Sequence, residues 1–87
     1  MTLNFPNASR SFDPTHDRVR FWGYDRALEV SFFVEASALL KSAPDTEHRE
    51  ADLLLAFDRL IDRIHEAARA AYARDRCFAY VLTAEDL

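Results

Sequence analysis

Three histidines are the residues with the clearest capacity for acid–base or metal chemistry: His16, His48 and His65. A nucleophilic site needs a base held beside a serine, cysteine or threonine by a third group, and no G-x-S-x-G or cysteine signature is present. A metal site needs three or four converging ligands, and no cluster has that spacing. We therefore expect solvated or capping histidines, and we assign no catalytic residue, metal ligand or cofactor.

Cys77 is the one cysteine, so an internal disulfide is excluded. It opens an apolar segment and is expected to be a small buried hydrophobic residue. Its neighbours Arg74 and Arg76 leave a reactive thiolate open as an alternative.

Asp58, Asp62 and Glu66 lie four residues apart, which places them along one edge of a helix. Paired carboxylates perform acid–base catalysis in glycosidases. Here arginines alternate with the carboxylates, so we expect a solvent-exposed face of ion pairs. A phosphate-binding loop rich in glycine is excluded because the chain has one glycine.

The 87 residues predict a single domain, residues 1–87, with a modest core. Without disulfides or a structural metal, its stability must come from packing, within the chain or shared with a second subunit. Seven Phe, three Tyr and one Trp favour a dense core and also suit a dimer interface.

The net charge of −4 argues against sequence-independent binding to phosphates. No apolar run approaches the roughly 20 residues of a membrane span. The first ten residues lack the pattern of a secretory signal. With one cysteine, these features predict a cytoplasmic protein that does not bind membranes.

One long helix organises the prediction, from a cap at Asp45 to about Asp75. Its apolar residues recur at spacings of three and four, which is typical of a helix with one buried face. We expect Phe57, Ile61 and Ile64 at its centre. At about 40 Å, such a helix is as long as the body it packs on, so it must bend, project or meet a second subunit. The apolar stripe consists of Leu53, Leu54, Phe57, Leu60, Ile61, Ile64, Ala67, Ala68 and Ala71.

Two alternating segments, 18–24 and 28–34, predict a β-hairpin with its turn at Tyr24-Asp25 beside Gly23. This register places Phe21 opposite Leu28 and Arg20 opposite Glu29. One face of the hairpin is then apolar, and the other carries paired charges.

Further elements complete an α+β fold. Segment 3–5 is a candidate edge strand, Asp13-Pro14 a turn, and segment 35–41 a short helix. Segment 77–83 is apolar on both faces, which predicts a strand inside the sheet. We expect two layers, with an antiparallel sheet of three to five strands on the long helix.

Trp22 falls on the charged face of the hairpin, near the turn. It could close the sheet edge or join a small cluster there. Alternatively it anchors a protein partner together with Arg20 and Tyr24, since exposed tryptophan is favoured at binding hot spots.

The chain resembles a bacterial family of small proteins, domain of unknown function 1488. The resemblance runs from Leu3 to about Leu82. It rests on Phe5-Pro6, on RFWGYDRALEVSFFVEASAL in the hairpin region, and on AFDRLIDRIHEAARAAYAR in the long helix. It implies a small α+β protein with an antiparallel sheet and supplies no activity.

Three functions remain open. The first is a non-enzymatic interaction or accessory module that acts through an aromatic surface or as a homodimer. The second is a small-molecule-binding protein or enzyme with a pocket between sheet and helix that uses His65, Cys77 or Tyr80. The third is nucleic-acid binding through Arg18, Arg20 and Trp22, because aromatics beside arginines can stack on bases.

Overall fold

The computed structural model describes residues 3–6 and 10–87. Within them a mixed sheet has the strand order β1-β3-β4-β5, and β2 also pairs with β3. Every pairing is antiparallel except β4 with β5, which is parallel. The predicted α+β fold is therefore confirmed. The elements are β1 (Leu3–Asn4), β2 (Arg10–Asp13), β3 (Arg18–Asp25), β4 (Leu28–Glu35), α1 (Ala36–Ser42), α2 (Glu50–Arg59), α3 (Ile61–Arg74) and β5 (Ala79–Leu82).

The β3–β4 hairpin is present, but its predicted register is wrong by four residues. Phe21 lies opposite Phe32, and Asp25 pairs with Leu28. The chain reverses at positions 26–27, where Arg26 adopts a positive φ of 60°. Because four is an even number, the shift keeps every side chain on its predicted face.

Gly23 lies inside β3 and not in the turn. A Cβ atom built there would come within 2.8 Å of the Phe5 ring and 2.9 Å of the Asn4 carbonyl oxygen. Glycine is thus required because β1 pairs beside β3 here, and the Phe5 ring and the Asn4 carbonyl oxygen leave no room for a side chain.

The long helix is present in outline, with two corrections. It begins at Glu50 after an Arg49 cap, so Asp45 is not the cap. It is interrupted at Leu60, whose φ of −99° and ψ of 12° depart from helical values. Leu60 N–H still donates to the carbonyl oxygens of Ala56 and Phe57. From Glu50 to Arg74 the helical run spans about 37 Å, close to the 36 Å long axis of the molecule.

The helices pack on one face of the sheet and enclose an aromatic core. Phe21, Phe32 and Phe57 are at most 2% exposed, and the ring centroid of Phe21 lies 5.2 Å from that of each of the other two. Ile64 is fully buried, whereas Ile61 is only partly buried. The predicted helix centre is therefore correct for Phe57 and Ile64 and too generous for Ile61.

Two polar contacts tie helix to sheet. Arg10 of β2 donates two hydrogen bonds to the Asp58 carboxylate, at 3.0 and 2.9 Å. The Tyr72 hydroxyl of α3 donates to Asp25 Oδ2 at 2.6 Å. That hydrogen bond, together with burial, raises the pKa of Tyr72. The middle of the helical run and its C-terminal end are thus fixed to the sheet.

Strand β5 lies at an edge of the described sheet, which corrects its predicted interior position. It pairs with β4 alone among the described residues. Tyr80 and Leu82 face the core, but Val81 is 47% exposed and the preceding Phe78 is 72% exposed. The strand is therefore apolar on both faces although only the face toward the core is buried.

We expect Ile64→Ala to lower the free energy of unfolding by about 2–5 kcal/mol, because it leaves a cavity in the core. Leu55→Ala is the matched control: Leu55 lies on the same helical run and is 55% exposed, so its loss should be within about 0.5 kcal/mol. Urea unfolding measures both. Equal losses would contradict the observed orientation of the helix.

We expect Gly23→Ala to cost about 1–3 kcal/mol, because the new methyl group meets Phe5 and the Asn4 backbone. A double-mutant cycle with Phe5→Ala checks the cause. The double variant should lose less than the sum of the single variants, since removing the ring relieves part of the clash. Additive losses would show that Phe5 does not impose the glycine.

Candidate functional site

The face of the sheet turned away from the helices is the candidate site, and we call it the open face. The alternating side chains of β3 and β4 leave Val19, Phe21, Val30 and Phe32 in the core and direct their neighbours outward. The buried residues of all three helices join the core on the other side. The open face comprises Arg18, Arg20, Trp22, Tyr24, Glu29, Ser31, Phe33, Glu35, Ala79 and Val81.

The three residues predicted as a partner-binding group share this face. The Arg20 guanidinium lies over the Trp22 ring, 4.7 Å from its centroid. Arg20 also donates to Ser31 Oγ at 3.0 Å and to Glu29 Oε2 at 3.3 Å. The Tyr24 hydroxyl donates to the other oxygen of Glu29 at 3.4 Å. One carboxylate therefore links the arginine and the tyrosine on either side of Trp22.

A second cation–aromatic pair extends the surface toward β2. The Arg18 guanidinium lies 3.8 Å from the centroid of the Phe33 ring. Its Nε donates to Asp13 Oδ2 at 3.3 Å. Burial acts to raise the pKa of Asp13, and the hydrogen bonds from His16 and Arg18 outweigh it, so the pKa lies below its usual value. The charged carboxylate therefore holds Arg18 above Phe33.

This arrangement suits protein recognition better than binding of nucleic acid. Trp, Tyr and Arg are the residues most enriched at binding hot spots. Phosphate binding requires cations that are free to neutralise phosphates, whereas Arg18 and Arg20 each have a carboxylate partner here.

The residues considered for a pocket do not converge on one. His65 stacks on Phe5, with ring centroids 4.0 Å apart, beside β1 at one edge of the sheet. Tyr80 stacks on Phe32 at the β5 edge, 5.2 Å away. Phe5 and Phe32 are themselves in contact at 6.0 Å, so packed rings fill the space between His65 and Tyr80.

Tyr80 and Cys77 instead shape the connection from α3 to β5. The Tyr80 hydroxyl donates to the Asp75 carbonyl oxygen and accepts from the Cys77 backbone N–H at 2.7 Å. Burial raises the pKa of Tyr80. Cys77 is exposed, so the expectation of a buried thiol is wrong.

Three of the remaining candidates for chemistry make polar contacts at the surface. His16 lies 2.9 Å from Asp13, and His48 lies 2.8 Å from Asp17. Asp58 holds Arg10, as described above. Across residues 3–6 and 10–87, no group of three or more His, Cys, Asp or Glu side chains could hold a metal ion.

Phe33 and Val81 belong to the open face and were missed by sequence reasoning. Phe33 stands beside Phe32, so the pair reads as one apolar run. Its outward orientation follows from the period of two and could have been found by extending the alternation of β4 beyond Ser31.

His65 predicts a pH dependence of stability. Burial and the nearby Arg69 lower its pKa below 6.5, although Asp62 opposes them. Below pH 6.5 the unfolded chain therefore binds a proton more readily than the folded chain, and the free energy of unfolding falls. His65→Phe keeps an aromatic ring against Phe5 and should remove this part of the dependence. Urea unfolding from pH 7.5 to 5 checks it; identical slopes for both proteins would contradict it.

Among the described helices, none combines the length and the apolar character needed to cross a membrane.

The fold has a counterpart among solved structures. A protein of unknown function from the DUF1488 family of Shewanella loihica PV-4 has a crystal structure that superposes with a TM-score of 0.83 at 13% identity. The match covers 93% of this chain and 91% of that chain. At this identity the likeness shows the fold alone.

No curated protein matches the chain. The family model described as a protein of unknown function (DUF1488) matches residues 3–82, the same span as the sequence resemblance, which is thereby confirmed. The chain therefore belongs to the DUF1488 family.

Proposed function

We propose that this chain is a non-enzymatic protein-interaction module that binds a partner through its open face. The observation that carries the proposal is the group of three aromatic residues, Trp22, Tyr24 and Phe33, with two arginines on the face that the helices leave uncovered. Each ring is partly buried and held by its neighbours, so binding a partner would order few side chains. Pre-ordered aromatic contacts of this kind lower the entropic cost of association.

Charge on this face favours a partner with mixed polarity. Arg18 and Arg20 are balanced by Glu29 and Glu35, so the face has no net charge among these four groups. An aromatic centre with a polar rim is the usual anatomy of a protein interface. We expect Trp22 to lie near the centre of the contact, since its neighbours on both strands carry the polar groups.

The fold offers less support for the small-molecule alternative. The space between sheet and helices is filled by buried side chains such as Phe21, Phe57 and Ile64. A groove of about 350 Å³ lies outside that layer, between α3 and residues 86–87. It is lined by Arg63, Glu66, Ala67, Ala70, Asp86 and Leu87.

Site-specific photocrosslinking in the native host tests the proposal. A photoreactive amino acid at position 22 should yield a discrete adduct with one protein, and the same amino acid at position 55 should not. Leu55 is a matched control because it is exposed and apolar but lies on α2.

The captured protein is then purified and its binding is measured by calorimetry. We expect Trp22→Ala to weaken binding by at least about 2 kcal/mol, roughly thirtyfold, if Trp22 is a hot spot. Leu55→Ala should bind as the native sequence does. An adduct from position 55 alone, or full affinity of the folded Trp22→Ala protein, would refute the proposal.

A further inference from the structure

Strand β5 forms one margin of the open face and presents an exposed apolar edge there. Val81 is 47% exposed and Phe78 is 72% exposed. Exposed apolar side chains at a strand edge are a recurring feature of surfaces that pair with another chain.

The backbone of β5 is also available for pairing. Ser31 N–H donates to the Phe78 carbonyl oxygen at 2.9 Å, and Ser31 lies opposite Ala79 in the parallel register. In such a ladder, alternate residues of β5 bond to β4. The N–H and C=O groups of Ala79 and Val81 therefore point to the outer edge, where no described strand lies.

Apart from the short length of β5, four residues, this edge lacks the usual protection against pairing. Natural edge strands carry lysine, proline, inward-pointing charges or bulges. Residues 77–83 read CFAYVLT and contain no charge, no proline and no glycine. The β4–β5 register runs without a bulge from Ala79 to Leu82.

The charges that flank β5 favour a second copy of the same chain. Arg74 and Arg76 precede the strand, and Glu85 and Asp86 follow it. Asp75 offsets one of the two bases, so the leading flank is positive by one charge and the trailing flank is negative by two. In an antiparallel pair, each leading flank lies beside the trailing flank of the other copy.

Arg74, Arg76 and Glu85 remain exposed, whereas Asp86 accepts hydrogen bonds from Thr83 of its own chain. Arg74 lies 4.0 Å from Asp86 of its own chain and Arg76 lies 3.9 Å from Asp25, and both arginine side chains are about 70% exposed. Contacts this long on exposed side chains stabilise little. Arg76 also lies over the Tyr72 ring, 5.2 Å from its centroid, so Arg74 is the arginine better placed to turn toward a partner's carboxylates.

We propose that β5 is a self-association edge at which two copies pair antiparallel about a twofold axis through Tyr80. Ala79 of one copy then exchanges both backbone hydrogen bonds with Val81 of the other, and the relation holds in reverse. The interface is isologous, so it closes as a dimer. Its area is small, so association is reversible and depends on concentration. Val81 also belongs to the open face, but the pairing uses the backbone of β5 and does not involve Trp22, so the two proposals are tested at different residues.

Sedimentation of the full chain between about 5 µM and 1 mM tests the proposal. We expect a monomer–dimer equilibrium and a dissociation constant raised about tenfold or more by Val81→Lys, which places a charge on the edge. Leu55→Lys, an equally exposed site on α2, should leave the constant unchanged. A native chain that stays monomeric up to 1 mM overturns the proposal, as does a dimer that resists Val81→Lys or is lost equally in both variants.

Disulfide trapping tests the antiparallel register. With Tyr80 on the axis, Cys77 of one copy faces position 83 of the other just beyond the ends of the two paired strands. Facing residues of a regular ladder stand about 5.5 Å apart between Cα atoms, within the range of a disulfide. Within one chain the same positions stand roughly 20 Å apart along the strand. Thr83→Cys should therefore form covalent dimers on mild oxidation, while the native chain and Cys77→Ser/Thr83→Cys should not. Dimers linked through Cys77 alone, or none from Thr83→Cys, would overturn this arrangement.

Discussion

Alternation of side chains along β3 and β4 is the constraint on which the rest of the structure depends. One set of side chains must leave water, and it does so under α2 and α3 with Phe21 and Phe32 at the centre. The other set is left outside by the same geometry. The same alternation that buries Phe21 and Phe32 therefore exposes Trp22 and Phe33 on the other face. Arg18 lies over the Phe33 ring and Arg20 over the Trp22 ring, and these contacts hold the two exposed rings in place.

Features that depend on local periodicity could be predicted from the sequence. The two strands, the faces of their side chains and the buried stripe of the helix all follow from spacings of two and of three to four. The exact hairpin pairing could not, because positions 26–27 carry no Asn-Gly or Asp-Gly signal and Arg26 reverses the chain with a positive φ. The glycine at position 23 was read as a sign of the turn. It is required because Phe5 packs closely against it, and a contact between distant parts of the chain leaves no local sequence signal.

For the candidate site, the shared face of its residues could be predicted but their contacts could not. Arg20, Trp22 and Tyr24 lie on one face as their spacing predicts, but the Glu29 bridge between Arg20 and Tyr24 depends on the true register. The interruption of the helix at Leu60 could not be predicted, because no proline or glycine lies there. The edge position of β5 could not be inferred, since a strand apolar on both sides has the same sequence whether it lies inside a sheet or at its margin.

The parallel pairing of β5 with β4 also has a consequence for synthesis of the chain. The hairpin emerges from the ribosome early, whereas β5 emerges only after all three helices. Until then the margin of β4 beside Phe32 has no strand neighbour, and closing it requires a crossover of more than forty residues. The nascent chain therefore passes through a stage in which its central strand is open to wrong pairing, and helix docking must hold the last strand in place.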